Sequence, residues 1–227
     1  MSVSELSASA QGYLKAIWSL QEWSSDPVTP SAMAAKAGVT LSTVSEAVRK
    51  LAEQGLVEHT PYGAVTLTEQ GRGHALAMVR RHRLIETFLV GALGYRWDQV
   101  HDEADSLEHA VSDFLIDRID QFLGFPDRDP HGDPIPSADG RVAEIPEAIL
   151  LSQLPADTPA RVERISDARP ELLQFFADHG IGIGARLIAR PGAPFSESLT
   201  VLVDATEPMS LGSSATDAVW VTPLDPD

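Results

Sequence analysis

One stretch of the chain, residues 80–113, limits the fold more than any other. Its sequence is RRHRLIETFLVGALGYRWDQVHDEADSLEHAVSD. Apolar residues recur in it at helical spacing, and the pattern predicts two helices joined by a short Gly-Tyr-Arg turn. The second helix is predicted to run over residues 98–123. Three of the seven histidines fall in this stretch, each with carboxylates nearby.

These histidines and carboxylates are spaced as neighbours on a helix. His82 and Glu86 are four residues apart. The polar residues of the second predicted helix are spaced by four, three and one: His101, Asp105, Glu108 and His109. On one helix they would share a face, which would be too polar for an ordinary core stripe. The pattern predicts a metal site, and exposed surface ion pairs are the alternative.

Composition narrows the class of protein. The chain has 227 residues, 43% hydrophobic and 22% charged, as in a soluble globular protein of one or two domains. It shows neither an apolar run long enough to span a bilayer nor a signal peptide, so we expect a cytoplasmic protein. There are no cysteines, which excludes disulfides, thiolate metal sites and cysteine nucleophiles.

The negative charge is distributed unevenly. The net charge is −16, which by itself disfavours a nucleic-acid partner. Residues 1–83, however, hold eight Lys and Arg against seven Asp and Glu, and residues 84–227 hold nine against twenty-six. The first part can therefore approach a phosphate backbone without strong repulsion.

The first part has the pattern of a winged helix. Helices are predicted over residues 5–22, from Pro30 to Gly38, and over residues 41–55 with an apolar face of Val44, Ala47, Val48 and Leu51. Two short β runs, 56–60 and 64–68, follow around a Pro-Tyr-Gly turn. Hydroxyl and basic residues of the third helix are the predicted DNA contacts: Thr40, Ser42, Thr43, Ser45, Arg49 and Lys50. Lys15 and Lys36 are weaker candidates for phosphate contacts, and an unrelated helix pair is the alternative.

The second part changes from helical to strand-like. A long helix is predicted over residues 68–93, and a linker over 137–157 that includes one helical turn at 147–151. Strand-like runs then follow with one helix between them: ARVERIS, GARLIARP, SLTVLVDA and AVWVTPL. The predicted fold is mainly α with a small SH3-like β-barrel. Its domains are a winged helix (1–73), a helical metal-binding and dimerisation domain (74–145), and a linker with the barrel (146–227).

Several segments together resemble the diphtheria toxin repressor family, in its manganese transport regulator branch. They are QGYLKAIWSLQE, the winged-helix segment, MVRRHRLIETFL, VHDEADSLEHAVSD and DPHGDPIP. Residues from about 155 onward resemble the SH3-like, FeoA-type domain of that family. The resemblance implies a homodimer that binds a palindromic operator in double-stranded DNA.

The resemblance also implies two metal sites. The ancillary site would use His82, Glu86 and His101, completed by Asp167 from the third domain. The primary site would use Asp105, Glu108 and His109. All these ligands are nitrogen or oxygen donors, which favours Mn²⁺, with Fe²⁺ or another divalent ion as the alternative.

Two positions depart from the family pattern. The first-helix ligand of the primary site falls at Gly12, which has no side chain. Either a water, a backbone carbonyl or another residue takes its place, or metal activation is lost. The second departure is Glu46 on the third helix, where a carboxylate repels phosphate.

The function predicted from this resemblance is a Mn²⁺-dependent repressor of divalent-metal uptake genes. The alternatives are an iron-dependent or a metal-unresponsive winged-helix regulator, and more remotely a metallohydrolase. No HExxH, GxSxG or P-loop motif is present, so we expect a protein that is not an enzyme. Four further histidines are predicted to be ordinary surface or turn residues: His59, His74, His131 and His179.

Overall fold

Hydroxyl side chains set the start of the first three helices. The helices are α1 (Ala8–Glu22), α2 (Pro30–Ala37) and α3 (Leu41–Glu53). Each is capped by the preceding residue, Ser7, Thr29 or Thr40, whose hydroxyl accepts a backbone N–H of the first turn. Helix α2 ends at Gly38, where φ is +63°. The chain therefore turns sharply between α2 and α3, as the sequence predicts.

The computed structural model describes residues 3–60, 63–143, 147–204 and 207–224. Within these ranges the predicted wing is present as two antiparallel strands, β1 (Val57–His59) and β2 (Val65–Leu67). Pro61 and Tyr62 of the predicted turn lie outside the described residues. Apolar side chains from all three helices and both strands form one core, among them Leu14, Ile17, Val44, Val48, Leu51 and Val65. The predicted winged helix is confirmed.

A long helix follows the wing directly. Helix α4 (Glu69–Leu93) begins after Thr68, whose Oγ1 accepts the N–H of Gly71 at 3.0 Å. The predicted range 68–93 is therefore correct to within one residue.

The single helix predicted over residues 98–123 is wrong. A short 3-10 turn (Trp97–Gln99) is followed by α5 (His101–Leu107) and then by α6 (Asp113–Leu123). The chain turns between the two helices, and Ser112 Oγ accepts the N–H of Leu115 at the start of α6. Glu108 and His109 lie in this turn, so they do not share a helix face with His101.

The C-terminal part is one antiparallel sheet. Its strands are β3 (Ile149–Leu150), β4 (Pro159–Ile165), β5 (Arg186–Pro191), β6 (Ser198–Val203), β7 (Met209–Gly212) and β8 (Val219–Pro223). The strand order is β3-β8-β4-β5-β6-β7. Helices α7 (Pro170–Asp178) and α8 (Ser213–Thr216) accompany it, and the core includes Leu151, Ile165, Phe176, Ile181 and Val201. The four predicted strands are present.

Two elements of this part differ from prediction. Strand β7 has no counterpart in the predicted set, and the helical turn expected at 147–151 is replaced by β3 and a 3-10 turn (Leu151–Gln153). Leu150 and Ile149 pair with Trp220 and Val221 of β8, which holds this segment extended.

The chain forms two compact units. The first unit comprises Met1–Ile85, Ala104–Phe122 and Ile135–Val142, and the second comprises Glu86–Glu103, Leu123–Pro134 and Ala143–Asp227. The domain boundaries at residues 73 and 145 stay a prediction. Among the described residues, no helix has both the length and the apolar character needed to cross a membrane.

Candidate metal centre

The second unit contains a cluster of imidazole and carboxylate groups. His101 Nδ1 lies 3.0 Å from Asp167 Oδ2 and 3.4 Å from Glu86 Oε1. One ligand atom from each of the three side chains lies within 4.8 Å of the others. The side chain of Glu86 is only 1% exposed, so its carboxylate is held away from bulk water. Three of the predicted ligands therefore meet in the second unit.

A loop over residues 129–133 adds two groups that were not predicted as ligands. Ligand atoms of Asp129 and His131 lie within 4.8 Å of one from Glu86. Asp129 Oδ1 accepts the backbone N–H groups of His131 and Asp133, at 2.8 and 2.9 Å, which fixes the loop. Gly132 has φ +91°, and a Cβ there would lie 2.1 Å from the carbonyl oxygen of Glu163. Only glycine fits at this position, which keeps His131 close to strand β4.

The His131 ring is fixed in orientation. It is fully buried, stacks on the ring of Trp97, and its Nε2 lies 2.9 Å from the Trp97 carbonyl oxygen. Because a carbonyl only accepts, Nε2 carries the hydrogen. The other nitrogen, Nδ1, lies 3.7 Å from Glu86 Oε2 and has no hydrogen-bond partner among the described residues. His131 lies in a turn, as predicted, but it is fully buried against the cluster and is not an ordinary surface histidine.

Excess negative charge dominates this cluster. Burial disfavours a charged imidazole, but the carboxylates of Glu86, Asp129 and Asp167 outweigh it and raise the pKa of His131 to about 9. Burial also opposes the charge of Asp167, yet its hydrogen bond with His101 outweighs this and lowers the Asp167 pKa. Three carboxylates facing two imidazoles leave an excess of negative charge that a bound cation would neutralise. The buried Nδ1 of His131, which makes no hydrogen bond among the described residues, and the all-oxygen-and-nitrogen donor set fit a divalent metal ion.

The first unit contains a separate cluster built around a lysine. Lys15 Nζ, from α1, lies 2.7 Å from Asp105 Oδ1 and 2.7 Å from Glu108 Oε2. It also lies 3.2 Å from Nδ1 of His82. His82 Nδ1 is itself 2.6 Å from Glu108 Oε2 and 3.2 Å from Asp105 Oδ1. The predicted ligands His82, Asp105 and Glu108 thus meet at a side chain that already carries a positive charge.

The electrostatics of this cluster follow from that charge. Burial raises the pKa of Asp105, but hydrogen bonding with His82 and the nearby ammonium of Lys15 outweigh it, and the pKa falls below its usual range. Glu108 is 1% exposed, so its carboxylate depends on these partners in place of water.

His109 bonds outside this group. Its Nδ1 lies 2.7 Å from Oε1 of Gln11, a buried residue of α1. Its Nε2 lies 3.6 Å from Glu108 Oε1. A Cβ added at Gly12 would meet nothing within 4 Å, so the neighbouring Gln11 provides the α1 contact to His109. Among the described residues, His109 joins none of the groups whose ligand atoms converge.

The predicted DNA-contacting residues are all exposed, the hydroxyl residues at the start of α3 and the two basic residues toward its end: Thr40, Ser42, Thr43, Ser45, Arg49 and Lys50. Thr40 Oγ1 is 2.9 Å from Ser42 Oγ and 2.8 Å from Thr43 Oγ1. The carboxylate of Glu46 lies 2.7 Å from Lys50 Nζ. That pairing lowers the pKa of Glu46 and offsets part of the repulsion that its charge would exert on phosphate.

Helix α6 exposes apolar side chains on one side. Phe114 is 75% exposed and Phe122, two helical turns later, is 69% exposed, with Leu115 also exposed. The opposite side of α6 is buried through Ile116 and Ile119. A patch of large exposed apolar side chains on a surface helix marks an interaction surface.

The remaining predicted histidines differ in burial. His59 and His179 are exposed, as expected. His74 is only 7% exposed, so the prediction of a surface residue is wrong there. Burial is also the main cause of its lowered pKa.

Comparison with known proteins gives the family. Residues 5–65 match the iron dependent repressor N-terminal DNA binding domain, and residues 68–137 match the iron dependent repressor metal binding and dimerisation domain. Residues 149–223 match the FeoA domain. The chain belongs to the iron-dependent repressor family. This confirms the predicted order of a DNA-binding domain, a helical metal-binding and dimerisation domain, and a FeoA-type β domain.

Individual members of the family are similar over most of their length. The chain is 34% identical to the iron-dependent repressor IdeR of Mycobacterium tuberculosis, over 70% of this chain and 72% of the relative. It is 32% identical to the diphtheria toxin repressor of Corynebacterium glutamicum, over 77% and 80%. A solved structure of a manganese-dependent transcriptional repressor in complex with manganese matches with a TM-score of 0.88 at 55% identity, covering 95% of this chain and 100% of that one.

Sequence reasoning missed three residues of the two clusters, Lys15, Asp129 and His131, and also the Gln11 contact to His109. The segment DPHGDPIP contains Asp129 and His131, and a histidine between two aspartates in a glycine-containing turn was the available signal. Lys15 was noted only as a weak phosphate contact. Its spacing of three from Gly12 places it one helical turn further along α1, which could have directed attention to it.

Proposed function

We propose that this chain is a homodimeric, manganese-dependent repressor that controls genes for divalent-metal uptake. It acts as a regulator of transcription and not as an enzyme. Because a repressor acts on the DNA inside the cell, we place it in the cytoplasm. The observation that carries the metal dependence is the buried cluster of the second unit, in which Nδ1 of His131 lies 3.7 Å from Glu86 Oε2 and makes no hydrogen bond among the described residues.

The residues that would hold the metal are all in the second unit: Glu86, His101, Asp129, His131 and Asp167. All offer oxygen or nitrogen, and a set rich in carboxylates without sulfur favours Mn²⁺ over softer ions. The relative solved with manganese supports the same ion. When bound, the ion supplies the positive charge that the three carboxylates require. Compared with the predicted ancillary set, this one adds Asp129 and His131 and leaves out His82, whose Nδ1 lies in the Lys15 cluster of the first unit.

Metal controls the protein because metal binding is thermodynamically coupled to its conformation. The conformation in which these five side chains converge binds metal better than one in which they are apart, so metal increases its population. Helix α4 carries Glu86 and follows the wing without a break, because only Thr68 separates it from β2. When metal binding at Glu86 makes α4 more ordered, that change is therefore transmitted along the chain to the DNA-binding segment.

DNA recognition would use α3 of each subunit. Its exposed hydroxyls and basic residues reach bases and phosphates in the major groove, and a dimer places two such helices on half-sites about 10 base pairs, or a multiple, apart. The exposed apolar side of α6, with Phe114 and Phe122, provides the surface that a second copy would cover. A palindromic operator matches the symmetry of such a dimer.

The test is metal-dependent DNA binding. A palindromic fragment is first selected from random-sequence DNA in the presence of Mn²⁺, and binding is then measured by fluorescence anisotropy with Mn²⁺ or with a chelator. We expect binding to weaken at least tenfold in chelator. Equal binding in both conditions would contradict metal control.

Iron is the second candidate ion, since the domain descriptions and two of the relatives are iron-dependent. The same titration with Fe²⁺ under anaerobic conditions distinguishes the two ions. Tighter activation by Fe²⁺ than by Mn²⁺ would replace manganese in the proposal and leave the rest of it unchanged.

A further inference from the structure

A positively charged side chain occupies the carboxylate cluster of the first unit. The Lys15 ammonium is within hydrogen-bonding distance of Asp105 Oδ1, Glu108 Oε2 and His82 Nδ1. All three are atoms that divalent metal ions use as ligands, and they lie within 4.8 Å of one another. Two N–H groups of the ammonium are matched by Asp105 Oδ1 and Glu108 Oε2, and His82 Nδ1, 2.6 Å from Glu108 Oε2, donates to the same carboxylates.

The side chains of Lys15 and Glu108 are both largely buried. Only 17% of the Lys15 side chain and 1% of that of Glu108 are exposed. A buried carboxylate without a cation or hydrogen-bond donors costs several kcal/mol, so Glu108 requires a positive partner. Lys15 supplies that partner without any metal.

We propose that Lys15 takes the place of a metal ion in the first unit, so that this cluster stays metal-free and the chain binds manganese only in its second unit. The ammonium and a divalent cation cannot share the same three ligand atoms, because they repel one another at such short distance. A metal ion can enter only if Lys15 leaves, and the lost hydrogen bonds then oppose its binding.

Lys15 in place of a metal ion explains why position 12 can be a glycine, which supplies no ligand. Gly12 offers no ligand, and Lys15, one turn along α1, links the same helix to Asp105 and Glu108. Lys15 therefore makes the contact between the DNA-binding segment and the α5 region, and no metal is needed for it. Regulation by metal is left to the second unit, which means that this inference rests on the proposed function.

Metal stoichiometry tests the assignment. Equilibrium dialysis of the full chain against Mn²⁺, with bound metal counted by mass spectrometry, should give one equivalent per wild-type chain. Lys15→Met removes the charge and keeps a side chain of similar length, and it should add a second equivalent. Glu108→Gln in the Lys15→Met background should remove that second equivalent again.

Matched controls separate charge from folding. Lys36→Met changes an exposed lysine of α2 and should leave one equivalent. In the otherwise wild-type chain, Glu108→Gln should also leave one equivalent, because no metal is bound there. Circular dichroism establishes that each variant is folded.

Two results would overturn the assignment. One is a wild-type chain that binds two equivalents, of which Glu108→Gln removes one. The other is a folded Lys15→Met chain that still binds a single equivalent. A wild-type chain that binds no manganese would contradict the proposed function instead, and the gain of one equivalent in Lys15→Met would still decide the role of Lys15.

Discussion

Gln11 Oε1 accepts a hydrogen bond from Nδ1 of His109 at 2.7 Å, and this bond joins α1 to the turn after α5. The direction is set by the other end of the amide, since Nε2 of Gln11 donates to the carbonyls of Val3 and Leu6. His109 is therefore tied to the residue next to Gly12. Its role here is to hold α1 in place.

The Gln11–His109 bond should contribute measurably to stability. Gln11→Ala leaves a donor of His109 unsatisfied, and we expect a loss of about 1–3 kcal/mol in the free energy of unfolding, seen as a lower Tm. His109→Ala should show a similar loss and keep the manganese equivalent of the wild type. A double-mutant cycle should give a coupling of about 1 kcal/mol. Gln70→Ala, at an exposed position of α4, is the control, and strictly additive losses would exclude the bond.

His131 should be necessary for tight manganese binding. His131→Ala removes the Nδ1 that faces Glu86, and we expect the Kd for Mn²⁺ to rise at least about tenfold. Isothermal titration calorimetry measures the change. His179→Ala, at an exposed histidine of the same unit, should leave the Kd unaltered. An unchanged Kd in His131→Ala would remove His131 from the ligand set.

Manganese should stabilise the fold through Glu86. A ligand present at 100 times its Kd stabilises the native state by about 2.7 kcal/mol, so the Tm of the wild type should rise with added Mn²⁺. Glu86→Gln removes a negative charge from the centre of the cluster and should abolish the rise. Glu207→Gln, at an exposed position of the second unit, should keep it. Differential scanning fluorimetry across a manganese series gives both curves, and a rise that persists in Glu86→Gln contradicts the assignment.

The apolar side of α6 should hold the dimer together. Phe114→Asp places a charge on the surface that a second copy would cover, and burying it would be costly. Light scattering after size-exclusion chromatography should then give the mass of a monomer. Phe195→Asp changes a fully exposed phenylalanine of the second unit, and this variant should remain dimeric. A dimer that survives Phe114→Asp would place the interface elsewhere.

Arg49 should contact a phosphate. Each phosphate contact adds about 0.9 to the slope of log K against log salt, so Arg49→Ala should reduce that slope by about 1. Arg49 is paired with Glu53 at 2.5 Å, and this pairing has to be exchanged for the phosphate. Arg190→Ala is the control, because Arg190 is also exposed and also pairs with a carboxylate, Asp157. A slope identical to that of the wild type would argue against the contact.

Local patterns in the sequence are enough to predict most elements. Thr29, Pro30 and Gly38 are a cap, a first-turn proline and a left-handed terminator, and each acts within a few residues of itself. The winged helix and four of the six C-terminal strands follow from the same kind of short-range information. The end of α5 at Leu107 cannot be predicted in this way, because the polar residues of 101–109 keep helical spacing across the break.

The sequence by itself determined the family, the order of the domains and most of the candidate metal-binding side chains. Those depend on residue type and spacing, which can be read along the chain. Only the tertiary structure decided which side chains meet. His131 is brought against Glu86 by a loop more than forty residues away, and Lys15 reaches Glu108 from a helix more than ninety residues away. Contacts at such separation depend on packing and charge balance in three dimensions, and spacing along the chain does not encode them.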